Sequence, residues 1–204
     1  MPKLWLDDRN LILASASNAR RQILRAAGVP LEVHPAHIDE REVEKRRGAG
    51  LEAGGLAALL AEAKAVSVSL RFPDRLILGS DQTLEFEGAI LAKPGSLAEA
   101  ETRLRLLSGG MHTLHSAYCF ARNGRAVSAG MSSARMTMRH LTSPFIKAYV
   151  AACGESVLES VGCYQVEGLG VHLFEEIQGD WFTILGLPLG DVLAYLREEC
   201  LLLT

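Results

Sequence analysis

No apolar run in this 204-residue chain approaches the roughly 20 residues that a membrane-spanning helix needs. The opening Met1-Pro2-Lys3-Leu4-Trp5-Leu6-Asp7-Asp8 meets charge too early for a signal peptide, so a soluble cytoplasmic protein with no membrane partner is expected. Cysteine is scarce and scattered, with Cys119, Cys153, Cys163 and Cys200 forming no CxxC pair. Thiolate metal-ligand spacing is therefore absent, a disulfide framework is not expected at this size, and buried reduced thiols are. There is no basic surplus either: 21 Lys and Arg stand against 24 Asp and Glu, a formal net charge of −3. A binder of nucleic-acid polymer must cover a phosphate backbone with cations, so that class is excluded, although clustered arginines can still bind one small anion. A GxSxG elbow, a P-loop, a GxGxxG fingerprint, internal repeats, low-complexity tracts and linkers are all missing.

What is present is core material in alternating elements. Hydrophobic residues make up 49% of the chain, enough for a substantial core in a single domain over residues 1–204, with two lobes around a sheet left open. Residues 11–14 form a buried strand, and 19–27 a helix closed by Gly28. Residues 31–34 are extended up to Pro35, and 39–47 form a loop or a solvated helix start before Gly48 and Gly50. A long helix follows over 51–70, its start delayed by Gly54 and Gly55. Residues 76–78 form a strand ending at Gly79. Gly88 marks a hairpin between 83–86 and 90–92, and 97–107 is an amphipathic helix stopped by Ser108-Gly109-Gly110. The Asn123-Gly124 step joins extended runs 111–121 and 126–140. A helix over 143–152 begins with Pro144, residues 168–177 are extended, and 189–199 is the closing helix. Alternation of this kind predicts an α/β fold.

Chemistry concentrates where strands end. Ser15-Ala16-Ser17-Asn18-Ala19-Arg20-Arg21 follows the first strand and opens a helix. Unpaired N–H groups and the positive end of the helix dipole attract anions there, and arginine adds a planar charge that matches phosphate oxygens. The same residues also suit a serine N-cap followed by solvated arginines. Gly79-Ser80-Asp81-Gln82 leaves the next buried strand, where open α/β sheets gather ligands, although Asp81 could equally cap a turn. Asp39-Glu40 fits an acidic loop, Lys64 a snorkelling helix lysine, and Lys93-Pro94 the surface beyond a strand. Taken together these types suit phosphoanhydride cleavage. Ser17, Arg20, Lys64 and Lys93 would hold phosphates, while Glu40 and Asp81 would hold a hard divalent metal and orient water. His112 and His115 are three apart on a strand, face opposite sides and do not suggest a zinc site.

Laid side by side, these segments resemble the Maf family of nucleoside triphosphate pyrophosphatases over residues 11–196. The family's S-x-S-P-x-R stands here as Ser15-Ala16-Ser17-Asn18-Ala19-Arg20, its D-E as Asp39-Glu40 and its K-A as Lys64-Ala65. Its G-[AS]-D is Gly79-Ser80-Asp81, its K-P is Lys93-Pro94, and its S-G-x-x-H runs Ser108-Gly109-Gly110-Met111-His112. The late G-x-Y-x-x-[QE]-G is Gly162-Cys163-Tyr164-Gln165-Val166-Glu167-Gly168, and G-L-P-L begins at Gly186. Each is short, and their order carries the resemblance.

The resemblance implies a mixed α/β fold like that of the inosine triphosphatases, with a twisted sheet, flanking helices and two lobes around a cleft. It implies hydrolysis of a nucleoside triphosphate to monophosphate and pyrophosphate with Mg²⁺ or Mn²⁺, as house-cleaning of non-standard nucleotides by a homodimer. Asp81 would be the catalytic residue and a metal ligand with Glu40. Ser15, Ser17, Arg20, Arg21, Lys64 and Lys93 would bind substrate. Ala19, Gln82 and Glu167 fall on positions tied to base choice, and Gln82 with Glu167 resembles the branch acting on 7-methyl-GTP. Ala19 matches neither branch, Asn18 replaces the usual proline, and Ser160 stands where the family has a lysine. Those departures leave room for a catalytically weakened nucleotide-binding protein that regulates septation. A related inosine-triphosphate pyrophosphatase shares the reaction but not this motif order.

Overall fold

A computed structural model describes residues 4–45 and 51–204. The expectations placed on residues 1–3 and 46–50, including Gly48 and Gly50, lie outside the described residues. In chain order the elements are β1 (Leu11–Leu13), α1 (Asn18–Ala26), β2 (Leu31–Val33), α2 (Glu40–Lys45), α3 (Ala53–Ser69) and β3 (Ile77–Phe86). Next come β4 (Ala89–Leu91), α4 (Leu97–Leu107), β5 (Met111–Arg122), β6 (Arg125–Met138) and α5 (Ser143–Cys153). The chain closes with 3₁₀ turns at Gly154–Leu158 and Leu169–Leu173, then β7 (Phe174–Gln178), α6 (Trp181–Ile184) and α7 (Leu189–Glu198). Strand order among the described residues is β2-β1-β3-β5-β6-β7, with β4 paired to β3. β1 runs parallel to β2 and β3, whereas β3–β4 and β6–β7 are antiparallel, so the sheet is mixed.

Two compact units emerge, the first from residues 1–82, 116–132 and 186–204, the second from 83–115 and 133–185. In the first, Ile12, Ala14, Val68 and Ile77 form one buried cluster. Beside it, Ala57, Ala61 and Ala65 of α3 meet Ala117, Cys119 and Ala121 of β5. The helix residues recur every four positions and the strand residues every two, so each set lies on one face of its element. Small side chains on both faces let helix and strand approach closely. The second unit packs α4 and α5 against its strands, with Leu84, Leu104, Leu107, Leu114, Met136, Met138 and Ile146 buried together.

Both hairpins form at their expected glycines. Glu87-Gly88 and Asn123-Gly124 each place two residues in succession at positive φ, the backbone that two-residue turns between twisted strands require.

Several elements depart from the sequence-based expectation. Gly54 and Gly55 do not delay α3, which begins at Ala53 with Gly54 buried in its first turn. Of the two readings open for residues 39–45 the structure takes the solvated helix start: the Asp39 carboxylate accepts from the Glu42 N–H at 3.1 Å and starts α2. Residues 169–173 wind as 3₁₀ before the strand begins, with the N–H groups of Gly168 and Gly170 both donating to the Gln165 carbonyl. The four thiols are free, but only Cys119 and Cys163 are buried. Cys153 is partly exposed, and Cys200 is exposed in the positive-φ turn that ends α7. Burial pushes the Cys119 thiol up to about 12 and that of Cys163 up to about 11, so both stay protonated and unreactive.

The most consequential departure is β3. It does not stop at Gly79 but continues to Phe86, carrying Asp81 inside the strand. Gly79 is there for packing. A Cβ on it would lie 2.3 Å from the Ala61 carbonyl oxygen and 2.6 Å from the Ala65 nitrogen, so the glycine marks close approach of α3 and not a chain stop.

Candidate active site

The first unit assembles its polar residues around the end of β1. Leu11, Ile12, Leu13 and Ala14 are at most 2% exposed and Ser15 is still buried, so the chain leaves the core abruptly at Ala16. Ser17 adopts extended backbone and caps α1, its hydroxyl accepting from the Arg20 N–H at 3.4 Å. The Ser15 hydroxyl accepts from the Ser17 N–H at 3.3 Å. No acidic residue occupies the first turn of α1, so nothing in it offsets the positive end of the helix dipole.

Arg20 is not a solvated helix arginine. It is 8% exposed. Its Nε donates to the Gly186 carbonyl at 2.8 Å, and its Nη1 donates to the Ser80 carbonyl at 2.9 Å and to the Ser15 hydroxyl at 3.1 Å. Three of the five donors that a guanidinium carries are thus spent on framework acceptors. Burial lowers its affinity for the proton, and the negative fields of Asp81 and Glu40 oppose that. Arg21 lies half-buried beside it, donating to the Asn18 side-chain oxygen.

Asp81 does not cap a turn. Its Oδ1 accepts from Lys64 Nζ at 2.7 Å, and the same Nζ lies 2.7 Å from Glu40 Oε1. The Lys64 and Asp81 side chains are 13% and 14% exposed, against 51% for Glu40. Lys64 comes from the middle of α3, one residue before the Ala65 that touches Gly79, so the tight helix–strand contact delivers the ammonium to the strand. Glu40, the first residue of α2, brings the second carboxylate. Next along β3, Gln82 Nε2 donates to the fully buried Ser116 hydroxyl at 2.9 Å. Ala19 is half-buried in the first turn of α1.

Lys93 and Glu167 belong to the second unit. Lys93 is exposed after β4, and Glu167 is exposed in the turns before Gly168. In the same unit the buried His112 ring shares a 2.7 Å hydrogen bond with the Tyr164 hydroxyl. His115 instead meets the Ser133 hydroxyl at 2.8 Å and the Glu85 carboxylate at 3.2 Å. Ser160, in place of the family's lysine, closes its own loop. Its hydroxyl donates to the Tyr164 carbonyl at 2.7 Å and accepts from the Tyr164 N–H at 2.9 Å.

Sequence reasoning overlooked Ser80, Gly186 and Ser116. The Gly186 carbonyl accepts from both Arg20 Nε and the Ser80 hydroxyl, the latter at 3.1 Å. Gly186 sits at φ +99°, a conformation that favours glycine. The G-L-P-L motif was the only signal for it, and that motif says nothing about a partner 166 residues away.

The donor chemistry suits a hard divalent cation. Among the described residues no three His, Cys, Asp or Glu side chains gather into a cluster. Mg²⁺ is commonly held by one or two carboxylates together with substrate phosphates, and Asp81 and Glu40 supply two on one cation-binding point.

The molecule is therefore a mixed α/β protein that places an arginine-backed helix start beside two carboxylates joined through one lysine. The family model described as Maf-like protein matches residues 10–199. The chain belongs to that family. It is 53% identical over 199 residues to the nucleoside triphosphate pyrophosphatase of Rhodopseudomonas palustris strain BisB18, covering 98% of each chain. It is 48% identical over 189 residues to the 7-methyl-GTP pyrophosphatase of Rhizobium etli strain CFN 42, covering 92% of this chain and 95% of that one.

Proposed function

We propose that this chain hydrolyses a nucleoside triphosphate to the monophosphate and pyrophosphate. The observation that carries the reading is the pairing of Asp81 and Glu40 on one lysine ammonium beside the buried Arg20. Pyrophosphatase names on relatives near half identity over nearly the whole chain support it.

In this reading a water oxygen bonds to the α-phosphorus, the bond from that phosphorus to the bridging oxygen breaks, and pyrophosphate leaves. Asp81 orients the water and accepts its proton, which then passes to solvent. The rigid Arg20 corner, with Arg21, Ser15 and Ser17 at the start of α1, faces phosphate oxygens, and Lys64 and Lys93 supply further positive charge. Asp81 and Glu40 would hold Mg²⁺ or Mn²⁺. Such an ion neutralises charge on the phosphates and the leaving group. Gln82 and Glu167, read with Ala19, favour 7-methyl-GTP, because a glutamate can accept from guanine N1–H and the 2-amino group together, and uracil has no amino group beside its N–H. A homodimer follows from the family resemblance alone, and sedimentation tests it.

Pyrophosphate release with Mg²⁺ across dTTP, UTP, CTP, GTP, 7-methyl-GTP and ITP tests the function. Turnover of 7-methyl-GTP that vanishes in Asp81→Asn supports both reaction and base. Turnover of dTTP or UTP instead keeps the reaction and removes the base assignment. Nucleotide binding without any turnover favours the septation-regulating binder.

A further inference from the structure

Two cations stand near the Asp81–Glu40 pair, and they are held in different ways. Arg20 is locked by the Gly186 and Ser80 carbonyls and the Ser15 hydroxyl. A planar guanidinium with three of its donors committed and almost no exposed surface cannot move without stranding buried acceptors. Lys64 is tied differently. Its ammonium, on a flexible four-carbon stem, lies 2.7 Å from one oxygen of each carboxylate. One cation is part of the framework and the other is exchangeable.

The two carboxylates that Lys64 bridges, through one oxygen of each, are those the proposed function gives to a divalent ion. An ammonium bridging two carboxylates and a divalent cation held by the same pair repel each other at short range, so the two compete for the negative charge of that pair. We infer that Lys64 is an internal counter-ion that holds the place of the metal between Asp81 and Glu40. It yields both carboxylates when the ion enters and turns its charge to the triphosphate. The inference rests on the proposed pyrophosphatase reading for the identity of the incoming ion.

Two consequences follow. In the nucleotide-free protein Lys64 offsets the charge of the paired carboxylates and weakens metal binding. Once a triphosphate is present the displaced ammonium gains new acceptors, so metal and nucleotide bind with positive coupling, each tightening the other by the same factor.

Mn²⁺ binding to the nucleotide-free protein, followed by the electron paramagnetic resonance of the free ion, tests this. Removing a positive charge in direct contact with the site predicts that Lys64→Met binds Mn²⁺ at least about tenfold more tightly than the unchanged protein. The further change Asp81→Asn is expected to abolish that gain. Equal or weaker binding by a folded Lys64→Met overturns the inference. Should Lys64→Met not fold, the ¹⁵N ammonium resonance of Lys64 is followed in the unchanged protein. Saturating Mg²⁺ is expected to shift it and speed its exchange with water, and a resonance that does not respond overturns the inference.

Pyrophosphate release separates this from the functional reading. Tighter Mn²⁺ binding by Lys64→Met with no nucleotide hydrolysed by the unchanged protein removes the pyrophosphatase and keeps the counter-ion. Hydrolysis without tightening does the reverse.

Discussion

Gly79 and Ala65 touch across the α3–β3 contact so closely that a methyl on Gly79 would lie 2.8 Å from the Ala65 Cβ. That contact seats α3 on the strand and brings Lys64, one residue earlier, to the Asp81 carboxylate at 2.7 Å.

Gly79→Ala is therefore expected to cost about 1–3 kcal/mol, the usual penalty for an inserted methyl in a tight core. The atoms it meets first belong to the Ala61 and Ala65 backbone, which cannot rotate aside. The change also pushes Lys64 away from Asp81, so pyrophosphate release should fall further than the lost stability explains. Thermal unfolding and the kinetic assay, both run well below the unfolding midpoint, separate the two effects. Unchanged stability would show that helix and strand have slack.

Asp81→Asn keeps the shape of the side chain but removes its charge and its basicity. Loss of a general base is worth about 10²–10⁴ in rate, and turnover is expected to drop by that much. Nucleotide affinity should change far less, since the arginine corner is untouched. Equilibrium binding beside single-turnover kinetics checks this. Equal losses in both would place Asp81 in binding alone.

Arg20→Met is expected to destabilise the first unit, because the Ser80 carbonyl loses its arginine donor in a buried setting and the Gly186 carbonyl keeps only the Ser80 hydroxyl. An unsatisfied buried polar group costs about 1–3 kcal/mol. Arg20→Lys should recover little, since one ammonium cannot reproduce the planar fork that meets three acceptors. Denaturant unfolding of both variants decides the point, and full recovery by lysine would show that charge alone matters there.

His112 supplies a pH dependence. Burial lowers its pKa from 6.5 to about 4, and its Nδ1 has no hydrogen-bond partner. The folded protein thus keeps the ring neutral where the unfolded chain protonates it. Stability from this group is unaffected above about pH 6.5 and falls as pH drops towards 4, because the unfolded state binds the extra proton. Unfolding free energies across that window should slope downward with acid, less so in His112→Gln. An identical slope in the variant would assign the acid sensitivity to other groups.

Much of the architecture was legible in the sequence for local reasons. Gly88 and Asn123-Gly124 specify turns through positive φ, Pro144 falls in the first turn of α5 where its missing N–H costs nothing, and the apolar triplet of β1 has one reading. Gly79 misled because glycine breaks a strand pattern equally whether it stops the chain or clears room for a helix. The 3₁₀ turn over 169–173 escaped for a different reason, since it rests on single backbone bonds such as those to the Gln165 and Gly168 carbonyls, which leave no periodicity to read.

The sequence by itself determined which chemical groups this protein owns and in what order: two serines and two arginines at a helix start, carboxylates at 40 and 81, lysines at 64 and 93. Those follow from residue type and local hydrogen bonding, which act over a few positions. Only the tertiary structure decided that Arg20 is bolted to carbonyls 60 and 166 residues away and that Lys64 joins Glu40 to Asp81. The second pairing depends on how closely α3 packs on β3, and both depend on side-chain volume summed across elements that no local pattern records.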